Sequence, residues 1–491
     1  MIAAISWIPK GASKAEPVLA APPSKEEVEE LITLHAQSVM EEESDNEDEM
    51  VDEGDTSNNK HSEEVAQALA VANAIGKTST DQYDDIALAL KALNMDNYDD
   101  EEDGVELFSS GVGDLYYGSN EEDPYIKDKN DDDEEELEDL IIHPTDSVIV
   151  CARYEDDLNL LEVWILEDAG TPEMNTYTHH DIIIPAFPLC TAWLDCPLKG
   201  GEKGNFLAVG SMEPSIEIWD LDVLDEVQPC VVLGGIEKKK KGKAGTKKSI
   251  KYKDGSHTDS VLGLAWNKEY RNILASASAD KRVKIWDVVA EKCDITMEHH
   301  TDKVQAVAWN HFQPQVLLTG SFDHTVALKD GRMPSHSGYR WSVNSDVESL
   351  AWDPHTEHSF VVSLDDGTVK CFDIRTAQSN PTSELSSAAS TFTLHAHDKA
   401  VTSVSYNPSA PNLLATGSMD KTVKLWDLSN NQPSCVASKN PKVGAVFSVV
   451  FSQDNPFLLA IGGSKGDLDV WNTLSESGVS QRFKNRTQSA S

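Results

Sequence analysis

Five stretches of this chain alternate apolar and polar residues at period two and run into an aromatic residue: VLGLAWN from 261, VQAVAWN from 304, VESLAWD from 347, VTSVSYN from 401 and VFSVVFS from 446. LCTAWLD from 189 is a looser copy, and IAAISWI at 2–8 opens the chain the same way before Pro9. Alternation of this length predicts a short strand with one face turned inward. A second pattern follows each such strand and is clearest in NLLATGSMDKTVKLWDL at 412–428. Two strands meet there at a tight turn on Asp420 and Lys421, and the second ends in Trp426-Asp427. NILASASADKRVKIWDV at 272–288 repeats it, with weaker copies at 205–221, 315–331, 358–374 and 456–472.

The period is regular. Trp266, Trp309 and Trp352 stand 43 residues apart, and Tyr406 and Phe451 stand 45 apart. The step from Trp352 to Tyr406 is 54 residues, which predicts a Ser/Ala-rich insertion near 376–389. Counting opening strands at 2, 190, 261, 304, 347, 401 and 446 gives seven units. A repeated unit of this size buries its core only against its neighbours, and seven closed into a ring leave only short edges. The expected fold is therefore all-β: a seven-bladed β-propeller of four-stranded sheets. LEDLIIHP at 137–144 also fits an opening strand, so either it or residues 2–8 could start the first blade.

Charge divides the chain. Of 491 residues 84 are acidic and 41 basic, a formal net charge of −43. Residues 11–140 hold 40 of the acids and 7 of the bases, so this interruption of the first repeat is a polyanion. Its runs at 41–55, 96–106 and 121–139 are too charged and too poor in aromatics to offset the entropy of ordering. The expectation is a mostly disordered insertion. Short helices are expected at 24–40, which opens with the capping box Ser24 and Glu27, at 62–75 and at 81–95. Ser44 and Ser119 each precede acidic residues and are candidate phosphorylation sites.

A basic stretch contrasts with it. Residues 238–253 carry Lys238, Lys239, Lys240, Lys241, Lys243, Lys247, Lys248, Lys251 and Lys253, in an expected loop at 234–256. Such a run suits nuclear import or contact with nucleic acid, or else a solvated loop. The seven cysteines form no CxxC pair, which favours buried thiols in a reducing compartment over zinc or disulfides. No apolar run is long enough to span a membrane, and MIAAISWIPKG lacks the features of a secretion signal.

Three units share a polar set at fixed offsets. His257, Ser276, Asp280 and Trp286 are matched by His397, Thr416, Asp420 and Trp426, and His300, Thr319 and Asp323 follow the same spacing with Lys329 in the last place. Serine, histidine and aspartate suggest a catalytic triad, but repetition in several units argues for a structural network instead. No phosphate-binding glycine loop, HExxH or GxSxG is present, and no catalytic, cofactor-binding or metal-binding residue is expected.

The repeated polar set with its closing Trp-Asp resembles the hydrogen-bonded tetrad of WD repeats. Trp164-Ile165, Lys329-Asp330, Phe372-Asp373 and Trp471-Asn472 depart from that pattern in units one, four, five and seven. The whole layout resembles the periodic tryptophan protein family. The carriers are the opening strand ending near Trp7, SKEEVEELI at 24–32, LYYGSNEEDPYI at 115–126, EVWILE at 162–167 and HHDIIIPAFPL at 179–189, with the lysine loop and LASASADKRVKIWD at 274–287.

That resemblance implies a non-enzymatic scaffold of the nucleus and nucleolus, supporting ribosome biogenesis through ribosomal RNA transcription or processing. The implied partners are ribosome assembly factors, basic ribosomal proteins or histones, with RNA contact through the lysine loop. It implies no membrane, and a monomer working inside larger assemblies. A histone-tail reader that grips its ligand in the central opening is the alternative. An adaptor for a ubiquitin ligase has no short motif in its favour. The expected organisation is an opening strand in 1–10, the acidic insertion 11–140, the propeller 141–484 and a tail 485–491.

Overall fold

In the computed structural model, the described residues are 1–20, 140–167, 175–198, 200, 203–237, 251–333, 338–376 and 390–483. The expected helices of the insertion, Lys238–Lys248, Ser44, Ser119 and the tail 485–491 lie outside them. Residues 1–20 and 133–491 belong to one compact unit. It is a seven-bladed β-propeller, in which the first strand of each blade lies innermost against the first strand of the next.

The first blade is built from Ile2–Ile8, Ser147–Glu155, Leu158–Glu167 and Asn175–Ile183. Ile2–Ile8 pairs antiparallel with Ser147–Glu155, which decides the opening strand. Residues 140–146 form a turn instead, although Ile142 is buried. The innermost strands share a register break after their first residue. It falls between Ile2 and Ala4, and again between Val261 and Gly263 and between Val446 and Ser448. A bulge at one repeated place bends each inner strand alike, so residues 2–8 are equivalent to the later openings.

Blades two to six also have four strands. Their apolar second and third strands pack on the inner strand of the next blade, as Leu413 and Val423 of blade six do with Val446 and Phe451 of blade seven. Burial of each such side chain contributes about 1.5–3 kcal/mol. Close approach is built in where a glycine of one blade faces the first inner residue of the next. A Cβ on Gly417 would lie 2.7 Å from Val446, and one on Gly462 would lie 2.6 Å from Ile2. The seventh blade therefore meets the first as the sixth meets the seventh.

Two features differ from the sequence expectation. The seventh blade has three strands among the described residues: Val446–Phe451, Leu458–Gly463 and Leu468–Asn472. After them the Asn472 side chain accepts the Leu474 amide and caps a turn, and the helix Ser477–Phe483 follows with Val479 and Phe483 buried. The acidic insertion also does not begin at residue 11. Val18–Leu19 pairs parallel with Val223–Leu224, and the Lys14 amide donates to Asp222 at 3.1 Å. The Ile142 amide donates to the Ala15 carbonyl at 2.9 Å, so the two described ends of the insertion are tied together.

Candidate functional site

Each tetrad forms where the loop entering a blade packs on that blade's second and third strands. In blade three, His257 Nδ1 lies 2.8 Å from Asp280 Oδ2 and His257 Nε2 lies 2.7 Å from Ser276 Oγ. The indole of Trp286 donates to the same Oγ at 2.8 Å. Blade six repeats this with His397 Nδ1 to Asp420 at 2.8 Å, Nε2 to Thr416 at 2.7 Å and Trp426 to Thr416 at 3.0 Å. One proton order satisfies every atom. Indole N–H donates to the hydroxyl, hydroxyl to imidazole Nε2, and imidazole Nδ1–H to the carboxylate.

The charges agree with that order. Burial pushes the pKa of His257 and of His397 down, against the pull of the neighbouring carboxylate, so both rings are neutral. Burial alone would raise Asp280, but hydrogen bonds from His257 and from the amides of Thr258 and Arg282 more than reverse it. Asp280 is ionised and fixes the turn at the blade's edge. Ser276, Thr319 and Thr416 are each 0% exposed, so no substrate carbonyl reaches them. These hydroxyls are held between ring nitrogens; they are not poised nucleophiles.

Blade four solves the loss of tryptophan differently. His300 bonds Asp323 and Thr319, both at 2.9 Å, and the adjacent His299 Nε2 lies 2.9 Å from the same Thr319 Oγ1. The second imidazole supplies the bond that indole supplies elsewhere. Burial, then the neighbouring His300, lowers the His299 pKa to about 3, so that ring also stays neutral. The sequence offsets locate His300 but give His299 no role. The signal was the doubled histidine beside a missing tryptophan. Blades two, five and seven carry Val209, Val362 and Ile461 at the hydroxyl position, which forbids a tetrad there.

A further network runs between blades at one mouth of the central channel. Trp309 donates to the Ala265 carbonyl at 3.0 Å and Trp352 to the Ala308 carbonyl at 3.2 Å. Trp7 donates to the Val450 carbonyl at 2.9 Å, the same bond across the ring's closure. The next residue reaches the other way: Asn267 Nδ2 donates to the Pro314 carbonyl at 2.6 Å, and Asn310 Nδ2 to the Glu357 carbonyl at 3.3 Å. At Trp7, Trp309 and Trp352 the aromatic spacing thus marks a stitch to the preceding blade, whereas the indoles of Trp193 and Trp266 bond Asn205 and the Arg271 carbonyl of their own blades. Trp266, Trp309, Trp352 and Tyr406 line a cavity of about 540 Å³, and Trp7, Trp193, Trp266 and Phe451 line one of about 600 Å³.

Toward the other mouth the channel holds a cavity of about 360 Å³, lined in part by Leu262, Gln305, Glu348, Thr402 and Phe447. Glu348 brings the only charged side chain among the cavity's described lining residues. Burial, then Asp365 and Asp346, raises its pKa to about 7. The lysine loop leaves a pinned base, where Ile236 bridges Tyr252 and the Glu237 amide donates to Lys251 at 2.7 Å. It enters at the start of an inner strand, whereas the acidic insertion leaves at the end of one, so their described ends lie on opposite faces. The seven cysteines are free thiols. No group of metal ligands occurs among the described residues.

The family described as "WD domain, G-beta repeat" matches residues 248–287, 291–329 and 388–427. Those are the blades that carry the three histidine networks. A WD repeat-containing protein of Schizosaccharomyces pombe is 42% identical over 84% of this chain and 81% of its own length. Periodic tryptophan protein 1 of Saccharomyces cerevisiae is 30% identical over 99% of this chain and 90% of its own length. The homolog of that protein in Drosophila melanogaster is 30% identical over 68% of this chain and 69% of its own length.

Proposed function

This chain belongs to the periodic tryptophan protein 1 family of WD-repeat proteins, and from that premise we propose that it is a non-enzymatic scaffold of ribosome biogenesis, working in the nucleus and nucleolus. The observation that carries the proposal is the likeness to the yeast protein along 99% of the chain, joined to a propeller whose buried Ser and Thr hydroxyls are committed to structure. A propeller of this kind serves protein–protein interaction. The charge of the inserted segment suits basic ribosomal proteins and assembly factors as partners, and the lysine run suits RNA or an import receptor. Phosphate added at Ser44 or Ser119 would deepen the negative charge.

Immunoprecipitation from salt-washed nuclear extract, with and without ribonuclease, tests this. The expected result is recovery of ribosome assembly factors and precursor ribosomal RNA, and recovery of histones alone overturns it. Removing residues 238–250 leaves the Ile236–Tyr252 bridge in place and should reduce nuclear retention without unfolding the ring. A histone-tail reader is the second reading, favoured by Glu348 in the channel cavity. It requires that a lysine-rich tail peptide bind the wild-type chain and lose affinity for Glu348→Gln.

A further inference from the structure

The channel mouth where the aromatic residues gather is more open than the stitches require. Its cavities of about 540 and 600 Å³ share Trp266 and Lys268, two residues apart at the end of blade three's inner strand. Trp7, Trp193 and Trp266 are only half-buried, so ring surface is left to the cavity. Their indole N–H groups are already bonded, to the Val450 carbonyl, Asn205 and the Arg271 carbonyl, at 2.9 Å each. Trp193 and Trp266 also meet edge to face, with ring centroids 5.5 Å apart. The rings are therefore held in place before anything binds, and they offer flat apolar surface rather than a free donor. On the same loops as Lys268 and His311, Tyr270 and Phe312 stand 49% and 51% exposed.

The charges narrow the ligand. Lys10, Lys203 and Lys268 line the cavities against Asp195 and Glu269, and Asp195 is already held by Arg271 at 2.7 Å. This lining is net cationic, whereas the cavity toward the opposite mouth carries Glu348. Lys203 and Lys268 make no hydrogen bond or ion pair among the described residues. The Lys268 side chain is open to solvent, yet the walls around it lower its pKa, and no carboxylate acts against them. An anion placed there would favour the charged amine again. A methylated ammonium, which aromatic faces otherwise attract, would meet these amines and be repelled. A carboxylate-rich peptide would answer the amines and leave most of the flat faces unused. Unpaired nucleotides use both, because each brings a base to stack and a phosphate to pair.

We propose that this mouth of the channel binds single-stranded nucleic acid, with bases stacked on Trp266, Trp193 and Trp7 and phosphates held by Lys203 and Lys268. Stacking tolerates any base, so the site selects a strand for being unpaired rather than for its sequence. It lies at the ends of the inner strands, on the face opposite the lysine loop, and is independent of that loop. The site goes beyond the scaffold role proposed above, because its rings and amines are in place whichever assembly the protein serves.

The test uses the full chain, because the acidic insertion leaves the first blade on this same face and any competition from its carboxylates is then included. The probe is a labelled ten-nucleotide RNA of mixed, non-pairing sequence, with binding read by fluorescence anisotropy between about 50 and 200 mM salt. Trp266→Leu should weaken binding at least about tenfold. Lys268→Gln should make the slope of log affinity against log salt shallower by about 0.7. The same sequence presented as a duplex should bind at least about tenfold more weakly, because pairing hides the faces of its bases. Removing residues 238–250 should leave the RNA bound. Should Trp266→Leu fail to fold, Lys268→Gln decides, since that side chain is open and unpaired. No binding by the wild-type chain, equal binding of strand and duplex, an unchanged salt slope in Lys268→Gln, or loss of binding on removing residues 238–250 overturns the proposal. So does a blocked decapeptide of glutamate and tyrosine that displaces the RNA as well as unlabelled RNA does, which would make the mouth a site for acidic protein segments.

Discussion

The indole nitrogen of Trp7 donates to the carbonyl of Val450 at 2.9 Å, across almost the whole length of the chain. Trp309 and Ala265 make the same bond between consecutive blades. The ring is closed by a repeat of the contact that builds it, using a strand separated from its own blade by the acidic insertion.

Trp7→Phe keeps the aromatic packing and orphans the Val450 carbonyl. A cost of about 1–3 kcal/mol is expected, read as a lower urea midpoint with an unchanged slope. Gly462→Val should cost more, because the added side chain meets Ile2 where a Cβ alone would already lie 2.6 Å away.

Ser276→Ala leaves the Trp286 indole and the His257 ring without their shared partner, and should cost about 2–3 kcal/mol. Ser276→Thr should be close to neutral, since Thr319 and Thr416 hold that position in blades four and six. Equal stability of the alanine and threonine variants would show that the network contributes nothing.

The tetrad of His257, Ser276, Asp280 and Trp286 was legible because its offsets recur; much of the rest was not. Each first strand announced itself by alternation, and the opening of the ring at residue 2 was one of two open choices until Ile2–Ile8 was seen beside Ser147–Glu155. His299 escaped notice because it fills a place that the repeat assigns to a residue 30 positions later. Residues 13–20 mix charged, small and apolar side chains without periodicity and give no sign of returning to blade two, where Ser13 and Lys14 meet Asn205 and Asp222. Among the described residues the chain leaves blade seven after its third strand at the turn capped by Asn472, a local bond that periodicity does not report. Glu348 could have been singled out, since the matching inner-strand positions hold Ala3, Leu189, Leu262, Gln305, Thr402 and Phe447.

Buried histidines make the fold sensitive to acid. Burial, then a neighbouring ring, holds His180 at about 4 and His299 at about 3. The unfolded chain takes up these protons near pH 6.5, so it binds more protons than the folded chain below that pH, and stability falls as pH falls from about 6.5. His257 and His397 act in the same direction. The double variant His180→Gln, His299→Gln should lose less stability than wild type between pH 8 and pH 5, by about 4 kcal/mol in urea titrations, roughly half from each ring. Parallel pH profiles would contradict the assignment.

Glu348 has the opposite sign. Its carboxyl titrates near 7 in the folded chain and near its ordinary value when unfolded, so stability is lost as pH rises between the two. Glu348→Gln should therefore stabilise the protein at pH 8, by on the order of 1 kcal/mol once solvent screening is allowed for, and change little at pH 4.5. A destabilised variant at pH 8 would mean that the carboxylate has a stabilising partner in the channel.

Native-state amide exchange along the inner strands tests the closed ring most directly. If residues 2–8 complete the first blade and lock it to the seventh, the amides of Ser6 and Ile8, which by register face Ser147–Glu155, exchange as slowly as those of Val450 and Ser452, and Trp7→Phe speeds both groups together. Fast, loop-like exchange at Ser6 and Ile8 beside slow exchange at Val450 and Ser452 would mean that the ring is open at its first strand.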